Sequence, residues 1–313
     1  MDNVTPATHT TTPVSSPVPS ATVAVIGGSG LYRLFDEGAS SAHTIDTPYG
    51  TAKVTIGTLG GKTVAFLTRH GSDHSVAPHL INYRANIWAL ASIGVKAIVS
   101  SAAVGGVSPD YPPGTLALPD QFIDRTWGRA DTFFDSGSVQ HLAAADPFCP
   151  ALHTIAGGAL VGIGESVTSG GTIVIIQGPR FSTRAESIWF RAAGAHLVNM
   201  TLYPEVPLAA ELGIGTVNLS FVTDSDAGLA PAIGDEEVLS AGLVFTRLRE
   251  AQPRIVAAIE AIIRAIPADY APRELIAAAE VAAVLDRTPG AASASTATAP
   301  TAPAWPMHRS SEN

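Results

Sequence analysis

Short apolar runs rich in Val, Ile and Thr alternate along this chain with longer stretches that carry apolar residues every three or four positions. A two-residue period marks strands and a 3.6-residue period marks helices, so the alternation predicts an α/β domain. Strands are predicted over 22–26, 53–59, 63–68, 96–101, 115–118, 172–177, 196–200 and 216–223. Helices are predicted over 79–92, 150–161, 183–193, 204–212, 235–266 (with Pro253 as a potential break) and 273–285. Two starts carry their own signals. Thr183 followed three residues on by Glu186 has the form of a capping box, and Pro204 suits a first helical position, where its missing N–H costs nothing.

Outside this pattern the chain changes character. The segment MDNVTPATHTTTPVSSPVPS is dominated by Pro, Ser and Thr, with neither the basic start nor the apolar centre of a secretory signal. The segment RTPGAASASTATAPTAPAWPMHRSSEN repeats that composition, and its prolines deny it helix or sheet. The expected organisation is a disordered arm over 1–21, one domain over 22–285 and a disordered tail over 286–313. At 313 residues and 46% hydrophobic content, the chain can bury a sizeable core. No run approaches the roughly 20 apolar residues that span a bilayer, so no membrane association is expected.

The formal net charge of -9 offers no electrostatic footprint for nucleic acid or an anionic membrane, so an anionic ligand must be held by local groups. The single cysteine, Cys149, rules out an intramolecular disulfide, a thiolate zinc site and an iron–sulfur cluster from this chain alone. A reducing cytoplasm is the expected setting, and no metal is expected.

Several predicted strands end at residues suited to chemistry. VAVIGGSGLYRLF runs into Gly27, Gly28, Ser29 and Gly30, where glycines let backbone amides approach an anion. A dinucleotide fingerprint is the competing reading, but its third glycine position falls on Arg33, whose side chain blocks the close helix packing the motif needs. A tight turn without a ligand is the other. Arg69 and His70 follow the strand TVAFLT; arginine offers a rigid fork of donors to phosphate, and a bound dianion would favour protonated histidine. The run VSSAAVGG places small residues where a ligand could lie against the backbone, although close strand packing explains such a run equally well.

At the end of TVNLSFV, Asp224 and Asp226 stand two residues apart, so an extended backbone points both to one side. Two carboxylates in an apolar site raise each other's proton affinity, and one could then act as an acid near neutral pH. A departing purine needs a proton on its imidazole ring, and a carboxylate accepts hydrogen bonds from an exocyclic amine. A solvated turn is the alternative for two acids ahead of Ala-Gly. The segment from Gly178 to Glu205 adds an aromatic, a thioether and a hydroxyl near loop ends. With the TRHG and TDSD runs it reads as a nucleoside and phosphate site.

The strings IGGSG, TRHG with His74 and Pro78, NYRANIWAL, DQFIDRT, DPFCP, GPRFSTRAES, NMTLYPE and TDSD occur in one order. In that order the chain resembles the 5'-methylthioadenosine phosphorylase branch of the trimeric purine nucleoside phosphorylase family, from Val23 to about Pro267. The resemblance implies a single α/β domain, a mixed twisted sheet surrounded by helices, assembled as a homotrimer. By matching motif positions it implies phosphate contacts from Ser29, Arg69, His70, Ala102, Ala103 and Thr201. Ala102 stands where some relatives carry a hydroxyl residue, and Ser29 where relatives often have threonine. It implies Met200 against the ribose, Phe181 against the purine, and Asp224 and Asp226 at the adenine edge. His141 would reach the 5' pocket of an adjacent subunit, with Val244 supplying its apolar part.

The implied reaction is phosphate-dependent cleavage of 5'-methylthioadenosine to adenine and 5-methylthioribose 1-phosphate, a pentosyl transfer in purine and methionine salvage. Phosphate is a co-substrate, Asp224 the acid, and no metal or organic cofactor is needed. One alternative is a broader purine nucleoside phosphorylase acting on adenosine or on 6-oxopurine nucleosides such as methylthioinosine. A second is a nucleoside-binding protein that has lost the chemistry, and a third, weakened by Arg33, is a nicotinamide dehydrogenase.

Overall fold

A computed structural model describes residues 17–36, 38–229 and 240–288. The chain forms β1 (Val23–Gly27), β2 (Ser40–Thr47), β3 (Gly50–Leu59), β4 (Lys62–Thr68), α1 (Tyr83–Ser92) and β5 (Ala97–Gly106). It continues through β6 (Leu116–Leu118), β7 (Gln121–Arg125), α2 (Pro150–Gly162), β8 (Val167–Ser169), β9 (Thr172–Ile176) and α3 (Arg184–Ala192). It closes with β10 (Leu197–Asn199), α4 (Leu202–Glu211), β11 (Gly215–Ser225), α5 (Ala241–Ala265) and α6 (Ala278–Leu285).

All eight predicted strands form, within one mixed sheet of 11 strands among the described residues. Its main path runs β2-β3-β4-β1-β5-β10-β9-β7, and β11 branches from β5 to carry β6 and β8. Strands β4, β1, β5 and β11 run parallel to their neighbours in this group, while β10 meets the end of β5 antiparallel. Strand β1 is buried along its whole length and β11 along all but its last residue. Parallel strands covered on both faces read as continuous apolar runs, which is why these were legible. The three unpredicted strands, β2, β7 and β8, are polar or very short, and β2 and β7 lie at the two ends of the main path. Edge strands are covered on one side at most, so their sequences need no apolar run.

The helices differ from expectation mainly at their ends. α1 starts at Tyr83 rather than 79, because Asn82 caps it by accepting from Ala85 N–H at 3.1 Å, and a short 3-10 turn precedes it. The capping box of α3 is complete: Thr183 Oγ1 accepts from Glu186 N–H, and Glu186 accepts from Thr183 N–H. Such a cap is worth about 1 kcal/mol. α5 runs unbroken through Pro253, since Leu248, Ala251, Ile255, Ala258, Ile259 and Ile262 keep one apolar stripe buried on the sheet. The expected start of this helix at 235 lies outside the described residues. α6 begins at Ala278, not 273.

The domain ends also shift. Within the arm expected over 1–21, Val18 packs on the core, and Ala21 is buried with its N–H donating to Ile93 O. Within the tail expected over 286–313, Arg287 donates to the Tyr49 hydroxyl at 2.7 Å and the Phe133 carbonyl at 2.9 Å. The packed chain therefore extends a few residues beyond 22–285 at both ends. Residues 1–16 and 289–313 lie outside the described part.

Candidate active site

The carboxyl ends of parallel strands in an open α/β sheet are where loops diverge and leave a crevice. In this sheet the ends of β1, β4, β5, β9, β10 and β11 open onto one cavity of about 440 Å³, closed on another side by Ala241, Val244 and Phe245 of α5. That volume suits a ligand of nucleoside size with a small anion. Eleven of the twelve residues anticipated by sequence line it: Ser29, Arg69, His70, Ala102, Ala103, Phe181, Met200, Thr201, Asp224, Asp226 and Val244. His141 does not; it is exposed on the segment between β7 and α2, outside the cavity wall of its own chain.

One corner of the cavity gathers hydrogen-bonding groups. The loop after β1 presses against the end of β5: Gly28 N–H donates to Ser101 Oγ at 3.2 Å. A Cβ at Gly28 would stand 2.6 Å from Ser101 O and 2.9 Å from Arg69 Nη1, so only glycine permits this approach. Arg69 is buried, and its guanidinium is more committed than its place in the sequence suggests. Nε and Nη2 donate to the two oxygens of Glu205 at 2.6 and 2.7 Å, and Nη1 donates to Ser101 O at 2.9 Å. The fork expected to grip phosphate is thus turned to Glu205, leaving one hydrogen each on Nη1 and Nη2 for a ligand. Burial disfavours the charged form, but the Glu205 carboxylate holds Arg69 protonated.

His70 sits beside it with Nδ1 2.9 Å from Val76 O. Burial, aided by the charges of Arg69 and His74, pushes its pKa down to about 4 against the pull of that carbonyl. Thr201 marks the start of α4, where Asn199 Oδ1 accepts from both Thr201 N–H (2.7 Å) and Leu202 N–H (2.9 Å).

A second part of the wall is acidic. β11 carries a bulge between Val222 and Asp224, where Thr223 is the extra residue against Val104 and Gly105 of β5. Asp224 and Asp226 are both buried, while Ser225 between them is exposed, as the extended backbone predicts. Gly105 makes room for them: a Cβ there would be 3.2 Å from Asp224 Oδ2. Burial raises the Asp224 pKa to about 6; Thr223 Oγ1, donating at 2.6 Å, opposes the rise, and Asp226 adds to it. Burial raises Asp226 too, moderated by the nearby Ser187 and Ser182 hydroxyls. Those contacts fall short of hydrogen-bond geometry, so Asp226 Oδ2, Ser182 Oγ and Ser187 Oγ are buried polar atoms without partners. Such a corner suits a ligand bearing both donors and acceptors.

Between the two parts lie Met200 and Phe181. Gly178, in the left-handed region at φ 62°, lets the chain pass Met200 Sδ, which a Cβ would meet at 2.6 Å. Phe181 is 38% exposed, an aromatic face left available at the cavity. His74 also lines the site with φ 57°, strained for a non-glycine residue. Its ring lies 4.6 Å from that of His70 and 5.2 Å from that of Phe245, and Nδ1 meets the Tyr32 hydroxyl at 3.2 Å.

Sequence reasoning assigned no role to Glu205, Asn199, Ser101, Ser182 or Ser187. Only Glu205 left a signal, as an acid on the apolar side of LYPEVPLAAE, where burial demands a cationic partner. Among the described residues no group of three or more His, Cys, Asp or Glu is placed to hold a metal ion, and no helix is long and apolar enough to cross a membrane.

The family model described as "Phosphorylase superfamily" matches residues 22–264. This chain belongs to the phosphorylase superfamily. It is 52% identical over 212 residues to the S-methyl-5'-thioadenosine phosphorylase of Mycobacterium tuberculosis, covering 67% of this chain and 78% of that relative. It is 46% identical over 231 residues to a purine nucleoside phosphorylase of Streptomyces coelicolor, covering 70% and 82%. The crystal structure of a methylthioadenosine phosphorylase from an antarctic soil metagenomic library superposes with a TM-score of 0.75 at 36% identity, covering 86% of this chain and 99% of that one. The single-domain mixed α/β architecture inferred from sequence is the architecture this superfamily member has.

Proposed function

We propose that this chain is an enzyme, a pentosyltransferase that cleaves 5'-methylthioadenosine with inorganic phosphate, giving adenine and 5-methylthioribose 1-phosphate. The observation that carries the reading is one cavity holding a hydrogen-bonding corner at Arg69 and His70 together with a buried acid, Asp224, raised to about 6. Relatives at half identity bearing that activity in their names support it.

The mechanism follows from where charge develops. As the glycosidic bond stretches, positive charge grows on the ribose and negative charge on the departing purine. Phosphate held by Ser29, Arg69, His70, Thr201 and the backbone at Ala102 and Ala103 stabilises the ribosyl cation, and one of its oxygens bonds the anomeric carbon. Asp224, partly protonated near neutral pH because it is buried, hands its proton to the leaving base. Asp226 accepts from the exocyclic amine. Phe181 lies on the purine and Met200 on the ribose. General-acid assistance is worth about 10² to 10⁴ in rate, and fixed orientation adds to it. No metal or organic cofactor enters this scheme.

The active assembly is a homotrimer in which His141 reaches a neighbouring subunit's 5' pocket beside Val244. Support comes from the apolar exposure next to His141 in the chain: Val139 is 69% exposed, a group that a second copy would cover. The setting is a reducing cytoplasm, and the reaction serves purine and methionine salvage.

A second reading, a broader purine nucleoside phosphorylase acting on adenosine or methylthioinosine, is favoured by the Streptomyces relative. Two buried acids at the base edge oppose the 6-oxo substrates, which offer an acceptor where the adenine amine donates. Base release from methylthioadenosine, adenosine and methylthioinosine, each with and without phosphate, separates the readings. Phosphate-dependent release fastest from methylthioadenosine is expected; phosphate-independent release, or none from any nucleoside, would sink the proposal.

A further inference from the structure

The anion corner carries no net charge while it is empty. The Arg69 cation is cancelled by Glu205, which meets it with both carboxylate oxygens at 2.6 and 2.7 Å inside the protein. The other groups presented there are dipoles: the Ser29 and Thr201 hydroxyls and the backbone at Ala102 and Ala103. His70 adds none, because its ring is neutral. Its Nδ1 lies 2.9 Å from Val76 O, and a carbonyl only accepts, so Nδ1 holds the ring proton and Nε2 is the lone-pair nitrogen. Among the described residues Nε2 has no hydrogen-bond partner, and the ring forms part of the cavity wall.

The groups around His70 explain why it stays neutral and what would change it. Arg69 adjoins it at the end of β4, paired with Glu205 of α4; His74 lies 4.6 Å away ring to ring, with the Tyr32 hydroxyl at its Nδ1. The nearest part of α5 offers Val244 and Phe245, which carry no charge, and β11 brings Asp224 and Asp226 to the same cavity. Burial and the Arg69 and His74 charges hold the free ring at about 4. A dianion entering this corner leaves two negative charges without a counter-charge in a poorly solvated site, which is costly.

We propose that the corner takes up a proton with each tetrahedral dianion it binds, and that His70 Nε2 is the atom that receives it. The proton comes from solvent and forms one N–H bond with the Nε2 lone pair; no bond of the anion breaks. The imidazolium then donates to an anion oxygen while Nδ1–H stays on Val76, so uptake needs no rotation of the ring. The inference rests on the phosphate reading of this corner and gives it a measurable signature. Between the free value of about 4 and the higher value in the complex, anion affinity falls by about tenfold per pH unit as pH rises.

The test is isothermal titration calorimetry of the full chain with sodium sulfate, without nucleoside, near pH ~6.5 in buffers of different ionisation enthalpy. Sulfate remains a dianion at this pH, so any proton taken up goes to the protein. The expected result is uptake approaching one proton per sulfate, lost in His70→Asn and retained in His74→Asn. Sulfate binding without proton uptake would overturn the inference and leave the anion site standing. Uptake that survives in His70→Asn would place the proton elsewhere and overturn it too. Failure of both sulfate and phosphate to bind would overturn the phosphate reading itself. Should His70→Asn not fold, the His70 imidazole signals of the wild-type chain decide by NMR: a pKa raised by sulfate supports the proposal, an unmoved one refutes it.

Discussion

Replacing Asp224 with Asn separates catalysis from stability, because the physics that makes this carboxyl an acid also makes it a burden on the fold. Its displacement from 3.8 to about 6 is caused first by burial. It corresponds to about 3 kcal/mol that the ionised group costs the folded state. The sign follows from proton binding: the folded chain holds this proton more tightly than the unfolded chain does. The contribution is therefore fully present below the unfolded value of 3.8 and is lost as pH rises through about 6. Asn cannot titrate, yet its Oδ1 can still accept the Thr223 hydroxyl that Asp224 accepts at 2.6 Å. Relative to wild type, Asp224→Asn should gain stability on going from pH 5 to 7.5, by about 1 kcal/mol. Over the same change its turnover with methylthioadenosine should be down by about 10² to 10⁴, or about 3 to 5 kcal/mol of barrier. Urea denaturation at both pH values, at one protein concentration, and phosphorolysis at saturating substrates measure the two effects. A folded variant turning over within about fivefold of wild type would remove Asp224 from the acid role. A stability difference that does not move with pH would refute the burial argument.

Two further substitutions probe the anion corner. Glu205→Gln leaves the Arg69 charge buried without its partner and should cost about 3 to 5 kcal/mol in urea denaturation; a loss below about 1 kcal/mol would mean that water already shields the pair. Gly28→Ala puts a Cβ 2.6 Å from Ser101 O and 2.9 Å from Arg69 Nη1. It should raise the KM for phosphate roughly 10- to 100-fold, with a smaller change in the KM for nucleoside; equal changes in both would contradict the assignment of this corner to phosphate.

Much of this protein could be read along the chain because its signals are local. The β1, β5 and β11 strands are covered on both faces, so nearly every residue in them had to be apolar or small, and their ends announced the glycine loop and the aspartates. The Thr183–Glu186 cap lies within one turn of backbone and formed as its spacing demands. Twin acids two residues apart on an extended strand necessarily share a side, whatever surrounds them.

Other features needed the packed molecule. Edge strands such as β2 are specified by partners rather than by composition, and the unbroken run of α5 past Pro253 depends on the stripe it buries. Arg69 and Glu205 stand 136 positions apart. No local pattern links them, so only the folded chain turned a phosphate fork into a neutral ion pair. His141 illustrates the same limit from the other side: within its own chain it is exposed and stands apart from the cavity. Sequence alone determined which residues could do the chemistry. Tertiary structure decided their charge and free donors, because burial and long-range pairing are properties of space and not of order along the backbone.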